Sequence, residues 1–163
     1  MRSFVALGAA AMVAMLLQIV VFPSFPHLPI VPDLILVLAA YLGVRHHGVG
    51  GACGAFLLGY FLDTFSGTVL GLHAFALTAA YVAVYLIARH LWMQGGLPVM
   101  AVVFIGGCVR ELATLALGGL VAAGPLVWHH VLRYGVFEAA AAALLAPAVF
   151  ACVSRERRLL GLS

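Results

Sequence analysis

Apolar segments account for most of this chain. Hydrophobic residues make up 66% of its 163 residues, charged residues make up only 8%, and the mean hydropathy is +1.20. This composition excludes an ordinary soluble domain. A transmembrane helix needs about 20 apolar residues, so six helices would occupy roughly 120 positions and leave short connections. We therefore expect one integral membrane domain over residues 1–163, an all-α polytopic transmembrane bundle of about six helices.

Turn residues and arginines divide the chain into six apolar segments. We expect Pro32 to open the second helix, where its missing N–H costs nothing, and Asp33 to stabilise the same helix end. The run at 123–133 is expected to form an outer loop, and Pro147 is expected to kink the last helix. The predicted segments are about 4–22, 30–44, 49–63, 69–88, 97–121 and 134–153.

Arginines predict the orientation of this bundle, because cytoplasmic loops of membrane proteins are enriched in basic residues. The chain has eight basic residues and all are arginine. If both termini are cytoplasmic, Arg133 lies outside, Arg110 lies within a helix, and the remaining six face the cytoplasm. These six are Arg2, Arg45, Arg89, Arg155, Arg157 and Arg158. The arginines therefore mark topology in a lipid bilayer and give no indication of nucleic-acid binding.

Small residues of the third segment predict a close helix contact. Ala55 and Gly59 share one helical stripe with Asp63, and Gly50 and Gly54 are displaced only slightly from it. Glycine and alanine allow helix backbones to approach closely within membranes. We expect this face to pack on protein.

Charged residues inside apolar segments predict a buried polar cluster. At about 1.5 Å of rise per residue, Asp63, Arg110 and Glu138 fall at one depth, roughly 20–24 Å above the inner boundary. An arginine between two carboxylates would compensate charges that are costly in lipid. We therefore expect Arg110 to lie between Asp63 and Glu138, with His73 and Glu111 nearby. The cluster would either fix the helix arrangement or form a site that a partner or ligand contacts from outside.

The sequence carries no catalytic pattern, and the paired histidines His46-His47 and His129-His130, which could in principle bind metal, have no matching ligands elsewhere. Cys53, Cys108 and Cys152 lack paired spacing, and the His-Glu-x-x-His motif of membrane metalloproteases does not occur. Ser66 precedes a glycine without the pattern of a nucleophile elbow. We expect a non-enzyme with no cofactor and no metal site.

Residues 32–73 carry an ordered set of short motifs that resembles the core of the MreD family, the rod-shape-determining membrane proteins of bacteria. The motifs are Pro32-Asp33-Leu34, Tyr41-Leu42-Gly43, Gly59 four residues before Asp63, Ser66-Gly67 and Leu70-Gly71-Leu72-His73. The stretch that carries the resemblance, from Pro32 to Tyr85, covers about a third of the chain.

The resemblance implies a scaffold subunit of the cell-wall elongation machinery in the inner membrane. Its implied partners are an MreC-like protein, the MreB filament, a RodA-type glycosyltransferase and a class B penicillin-binding protein. A second hypothesis is the substrate-binding subunit of a vitamin transporter of the energy-coupling-factor type, which is also a six-helix bundle with polar groups between helices. A lipid-modifying enzyme that uses the buried carboxylates is a third.

Overall fold

The fold was analysed in a computed structural model, which describes residues 13, 33–46, 48–66, 70–90, 95–121 and 125–159. Within these residues the chain forms five α-helices and no strand. The helices are α1 (Leu34–Arg45), α2 (Val49–Ser66), α3 (Leu72–Ala88), α4 (Gly96–Val121) and α5 (Pro125–Leu159). The first predicted segment, 4–22, lies outside the described residues apart from Val13. Six helices and two cytoplasmic termini therefore stay predictions.

The helix α1 begins at an aspartate cap and not at the proline that we expected to open it. The backbone of Asp33 is extended, and its Oδ1 accepts a hydrogen bond of 3.0 Å from the N–H of Leu36. A short polar acceptor directly before the first helical residue satisfies one of the free N–H groups of the first turn. Pro32, which lies outside the described residues, therefore precedes the cap.

The helix α5 is much longer than the predicted sixth segment. It begins at Pro125, so the expected outer loop at 123–133 is wrong from this proline onward, and it continues through Pro147 to Leu159. The physical reason is that proline is favoured at the first position of a helix, where no N–H is needed and its fixed φ suits the first turn. The sequence prediction treated Pro125 as a loop residue.

The turn between α2 and α3 is shifted from its predicted position. The helix α2 continues past Asp63 to Ser66, and α3 begins at Leu72, three residues later than expected. Gly71, the residue before α3, has a φ of +97°. Only glycine adopts such a left-handed conformation without strain, which explains a glycine here.

The helix α1 forms the centre of the bundle. Every residue from Ile35 to Leu42 exposes at most 2% of its surface. All four other described helices contact α1. A helix that is apolar on every side is a buried helix. With 12 residues, α1 is about 18 Å long, shorter than a hydrocarbon core of about 30 Å.

Contacts between the helices show that neighbours along the chain run antiparallel. In each contacting pair of helices, the residue numbers rise along one helix where they fall along the other. The helices α1, α3 and α5 therefore point in the same direction. The contacts are Leu42 with Gly54 and His46 with Gly51 for α1 and α2, Gly59 with Ala74 and Gly51 with Tyr81 for α2 and α3, Leu36 with Gly107 and Asp33 with Arg110 for α1 and α4, and Gly107 with Ala139 and Gly96 with Pro147 for α4 and α5.

Two of the described helical stretches are long and apolar enough to cross a membrane, Gly96–Gly119 and Gly135–Arg155. The other three described helices are apolar but shorter. Large apolar side chains cover the outside of the bundle, with exposed fractions of 67% for Phe65, 65% for Leu112 and 68% for Leu144. Such a surface suits contact with lipid.

Candidate functional site

The first buried polar site joins the end of α2 to the start of α3 through one carboxylate. Asp63 is 1% exposed. Its Oδ2 accepts hydrogen bonds from the backbone N–H groups of Gly71 (2.9 Å) and Ala74 (3.1 Å), and its Oδ1 accepts one from the N–H of His73 (3.0 Å). Three N–H groups of a helix start, together with the positive end of the helix dipole, compensate a buried negative charge.

The imidazole of His73 completes this site. Its Nδ1 lies 2.9 Å from Asp63 Oδ1, and the side chain is 17% exposed. The same oxygen thus contacts both the backbone and the ring of His73. The prediction that His73 lies near Asp63 is confirmed, and both oxygens of the carboxylate are engaged in holding α2 against α3.

The second buried polar site joins the start of α1 to the middle of α4. The guanidinium Nη1 of Arg110 forms an ion pair with Oδ2 of Asp33, and it lies 3.4 Å from Oε1 of Glu111. The exposed fractions of these side chains are 12% for Arg110, 4% for Asp33 and 18% for Glu111. Asp33 therefore has two roles, because its other oxygen caps α1. The sequence analysis found the cap and missed the ion pair.

The predicted cluster with Arg110 between Asp63 and Glu138 is wrong in its pairing. Among the described residues, the ionic partners of Arg110 are Asp33 and Glu111, and the amides of α3 hold Asp63. The reason is the depth at which α1 begins. Counted from Arg45 along α1 and from Gly96 along α4, Asp33 is reached after about 18 Å and Arg110 after about 21 Å, so these two residues lie nearly level. The sequence analysis compared the depths of Asp63, Arg110 and Glu138 and did not include Asp33.

Glu111 and Glu138 lie near this second site on the α4 and α5 side. Glu111 packs on Gly135, where an added Cβ would lie 3.0 Å from its carboxylate. Glu138 follows Gly135 by three residues on α5 and is half-buried. An absent side chain at Gly135 thus makes room for the carboxylate of Glu111.

The small-residue face of α2 was predicted to pack on protein, and its partner is α3, although one member of the face differs. Ala55 is fully buried, and a Cβ on Gly59 would collide with the backbone of Ala74. Gly50 is exposed, and Gly51 is buried in its place beneath the ring of Tyr81. A strict step of four residues from Asp63 back through Gly59 and Ala55 gives position 51, so the sequence held this signal. Gly54 faces α1, and a Cβ added to Gly54 would lie 3.1 Å from a methyl group of Leu42.

A tyrosine of α3 holds the connection between α1 and α2. The hydroxyl of Tyr81 lies 2.9 Å from the carbonyl oxygen of His46 and 3.0 Å from that of Gly48. Its ring stacks in parallel on Tyr85 at 6.3 Å between centroids. The sequence predicted packing for these tyrosines and missed the hydrogen bonds, because the carbonyl groups of a loop leave no trace in residue types.

For the other predicted site residues, the described contacts indicate no chemical role. Ser66 is the last residue of α2, and Gly67 and Pro32 lie outside the described residues. In the described part of the chain, no group of three or more His, Cys, Asp or Glu residues could hold a metal ion. Cys53 and Cys152 are exposed, and Cys108 is half-buried.

Comparison with known proteins identifies the family. The family model described as rod shape-determining protein MreD matches residues 2–155, nearly the whole chain. No curated protein and no solved structure matches the chain significantly. The match extends well beyond the motifs at 32–73 and includes both buried polar sites, so the chain belongs to the MreD family of rod-shape-determining membrane proteins.

Proposed function

We propose that this protein is a non-enzymatic scaffold subunit of the cell-wall elongation complex, located in the bacterial inner membrane with both termini in the cytoplasm. The observation that carries the proposal is the match of the MreD family model over residues 2–155. Within that complex the proposed partners are an MreC-like protein, a RodA-type glycosyltransferase with its class B penicillin-binding protein, and the MreB filament, directly or through the others. The consequence in a cell is lateral peptidoglycan synthesis and rod shape.

The use of the buried polar groups supports a scaffold over an enzyme. Asp63 accepts hydrogen bonds from three backbone N–H groups, and Asp33 caps one helix while it pairs with Arg110 of another. A general acid or base must be able to exchange a proton with a substrate. These two carboxylates instead join helices to each other, which is how polar residues commonly stabilise membrane bundles.

A depletion experiment in a rod-shaped host tests this function. Depletion should round the cells and lower lateral incorporation of labelled peptidoglycan precursors, and the wild-type chain expressed in trans should restore both. Capture of a tagged chain from mild detergent should recover an MreC-like protein. Unchanged cell shape after clean deletion, in a strain without a second copy, would contradict the proposal. Recovery of an ATPase module would favour the vitamin-transporter hypothesis instead.

A further inference from the structure

One end of the bundle collects exposed arginines. Because α1, α3 and α5 run in the same direction, their C-terminal ends point toward the same end of the bundle, and each carries an arginine there. Arg45 lies in the last turn of α1, Arg89 caps α3, and Arg155 lies near the end of α5. All three residues are exposed. We call this part of the molecule the arginine end.

Carboxylates are segregated away from the arginine end. All four whose side chains the structure describes lie toward the opposite end: Asp33 at the start of α1, Asp63 at the turn into α3, and Glu111 and Glu138 near the start of α1. No described carboxylate therefore neutralises the arginine end. In sequence, α5 adds Arg157 and Arg158 to the same helix end, against one further carboxylate, Glu156.

Exposed apolar side chains accompany these arginines. Val49, the first residue of α2, is 81% exposed, and Leu97, the second residue of α4, is 79% exposed. The start of α2 packs beside His46 and Tyr81, toward the ends of α1 and α3, and the start of α4 packs on Pro147 of α5. An apolar residue beside a cation matches the boundary between acyl chains and headgroups of a bilayer.

We propose that the arginine end binds the headgroups of anionic phospholipids, in preference to zwitterionic ones. Arg45, Arg89 and Arg155 supply the charge, and Val49 and Leu97 contact the acyl chains beside it. Basic clusters next to transmembrane helices attract anionic lipids, and basic pockets between such helices bind their phosphate groups. The planar guanidinium group donates two parallel hydrogen bonds to a phosphate, which the ammonium group of lysine does not.

A lipid surface fits these residues better than an acidic protein segment does. The three arginines belong to three separate helices, so they present charge across the whole end of the bundle and not along one groove. The bulky apolar residues lie on two further helices, α2 and α4. A bilayer contacts all five helix ends at once without needing a complementary shape.

Lipid retention by the purified full-length chain tests this proposal. The protein is exchanged into mild detergent containing equimolar phosphatidylglycerol and phosphatidylcholine, purified again, and the retained lipids are quantified by mass spectrometry. The wild-type chain should retain phosphatidylglycerol in excess. Each of the substitutions Arg45→Gln, Arg89→Gln and Arg155→Gln should lower the preference, by roughly fivefold for a cation close to the headgroups. The triple variant should bring retention to the bulk ratio.

The matched control is the triple lysine variant, which keeps the charge and should keep most of the preference. Far-UV circular dichroism and elution from a sizing column show whether each variant is folded, and the single substitutions replace the triple variant if it is not. Full phosphatidylglycerol preference in all folded glutamine variants would overturn the proposal. Equal retention of both lipids by the wild type would overturn it too, leaving an acidic protein segment as the partner. Displacement of the lipid by inorganic phosphate, but not by chloride at equal ionic strength, would also overturn it in favour of a free anion.

Discussion

At the scale of single residues, the charges inside this bundle act as connections between helices. Asp33 illustrates the principle best, since one of its oxygens accepts from the N–H of Leu36 and the other pairs with Arg110. A buried charge is costly in a low dielectric, and a partner together with hydrogen bonds offsets that cost. Asp63 achieves the same with backbone N–H groups instead of a cation. The two aspartates of the family-like motifs thus use different chemistry for one purpose.

Removal of Arg110 alone should be strongly destabilising. We expect Arg110→Gln to lower the free energy of unfolding by about 3–5 kcal/mol, because it leaves the carboxylate of Asp33 buried without its cation. The double variant Asp33→Asn with Arg110→Gln should recover part of this loss, since asparagine still caps α1 while the unpaired charge is gone. Thermal unfolding of the purified protein in detergent measures both effects.

The control for this prediction is Arg89→Gln, which removes an exposed arginine at the end of α3. A substitution at such a position should change the free energy of unfolding by less than about 0.5 kcal/mol. If Arg110→Gln were no more harmful than Arg89→Gln, the ion pair with Asp33 would not stabilise the fold.

At the scale of helices, close packing depends on residues without side chains. An added Cβ on Gly107 would lie 2.6 Å from the Cβ of Ala139, and one on Gly106 would lie 2.8 Å from a methyl group of Val84. Gly43 meets the same valine at 2.8 Å. The contacts of α4 with α5, of α4 with α3 and of α1 with α3 therefore each require a glycine. This requirement explains part of the glycine content of the chain.

Substitution of Gly59 should separate α2 from α3. We expect Gly59→Leu to cost about 1–3 kcal/mol or more, because the new side chain would collide with the backbone of Ala74 and His73, which cannot rotate away. Gly118→Leu is the matched control, since nothing lies within 4 Å of a Cβ at Gly118. Abundance in membranes and thermal stability of the purified variants measure the difference. Equal abundance and stability of the two variants would show that the face of Gly59 is loosely packed.

At the scale of the whole molecule, a short buried helix contacts all four other described helices. The helix α1 is about 18 Å long and its N-terminal cap is level with Arg110, well inside the outer boundary of the membrane if Arg45 marks the inner one. Two longer helices, α4 and α5, continue beyond that level. The polar groups of Asp33, Arg110 and Glu111 consequently lie in the half of the bundle away from Arg45.

Cysteine labelling should establish the orientation of the molecule. In a variant without Cys53, Cys108 and Cys152, we expect His90→Cys to react with a membrane-impermeant maleimide only from the cytoplasmic side and Leu70→Cys only from outside. Both residues are exposed, and they lie at opposite ends of α3. The arginine bias predicts this direction. Labelling after solubilisation in detergent provides the control for reactivity, and the reverse pattern in intact cells would show an inverted bundle.

The sequence by itself determined the class of the protein, the approximate limits of α1 to α4 and the family. These properties follow from local content: apolar length decides whether a segment enters the membrane, and motif order reveals the family. The sequence also indicated the N-cap at Asp33 and the proximity of His73 to Asp63. Asp33 lies at a helix end, and His73 and Asp63 are only ten residues apart in the chain.

Only the tertiary structure decided which distant residues meet. A change of one position rotates a side chain by about 100° around a helix, which is why Gly51 and not Gly50 lies beneath Tyr81. A shift in where one helix begins moves every partner along it by about 1.5 Å per residue, which is why Arg110 pairs with Asp33 and not with Asp63. Rotation and depth are set by how helices pack against each other, and the sequence of one helix does not contain them.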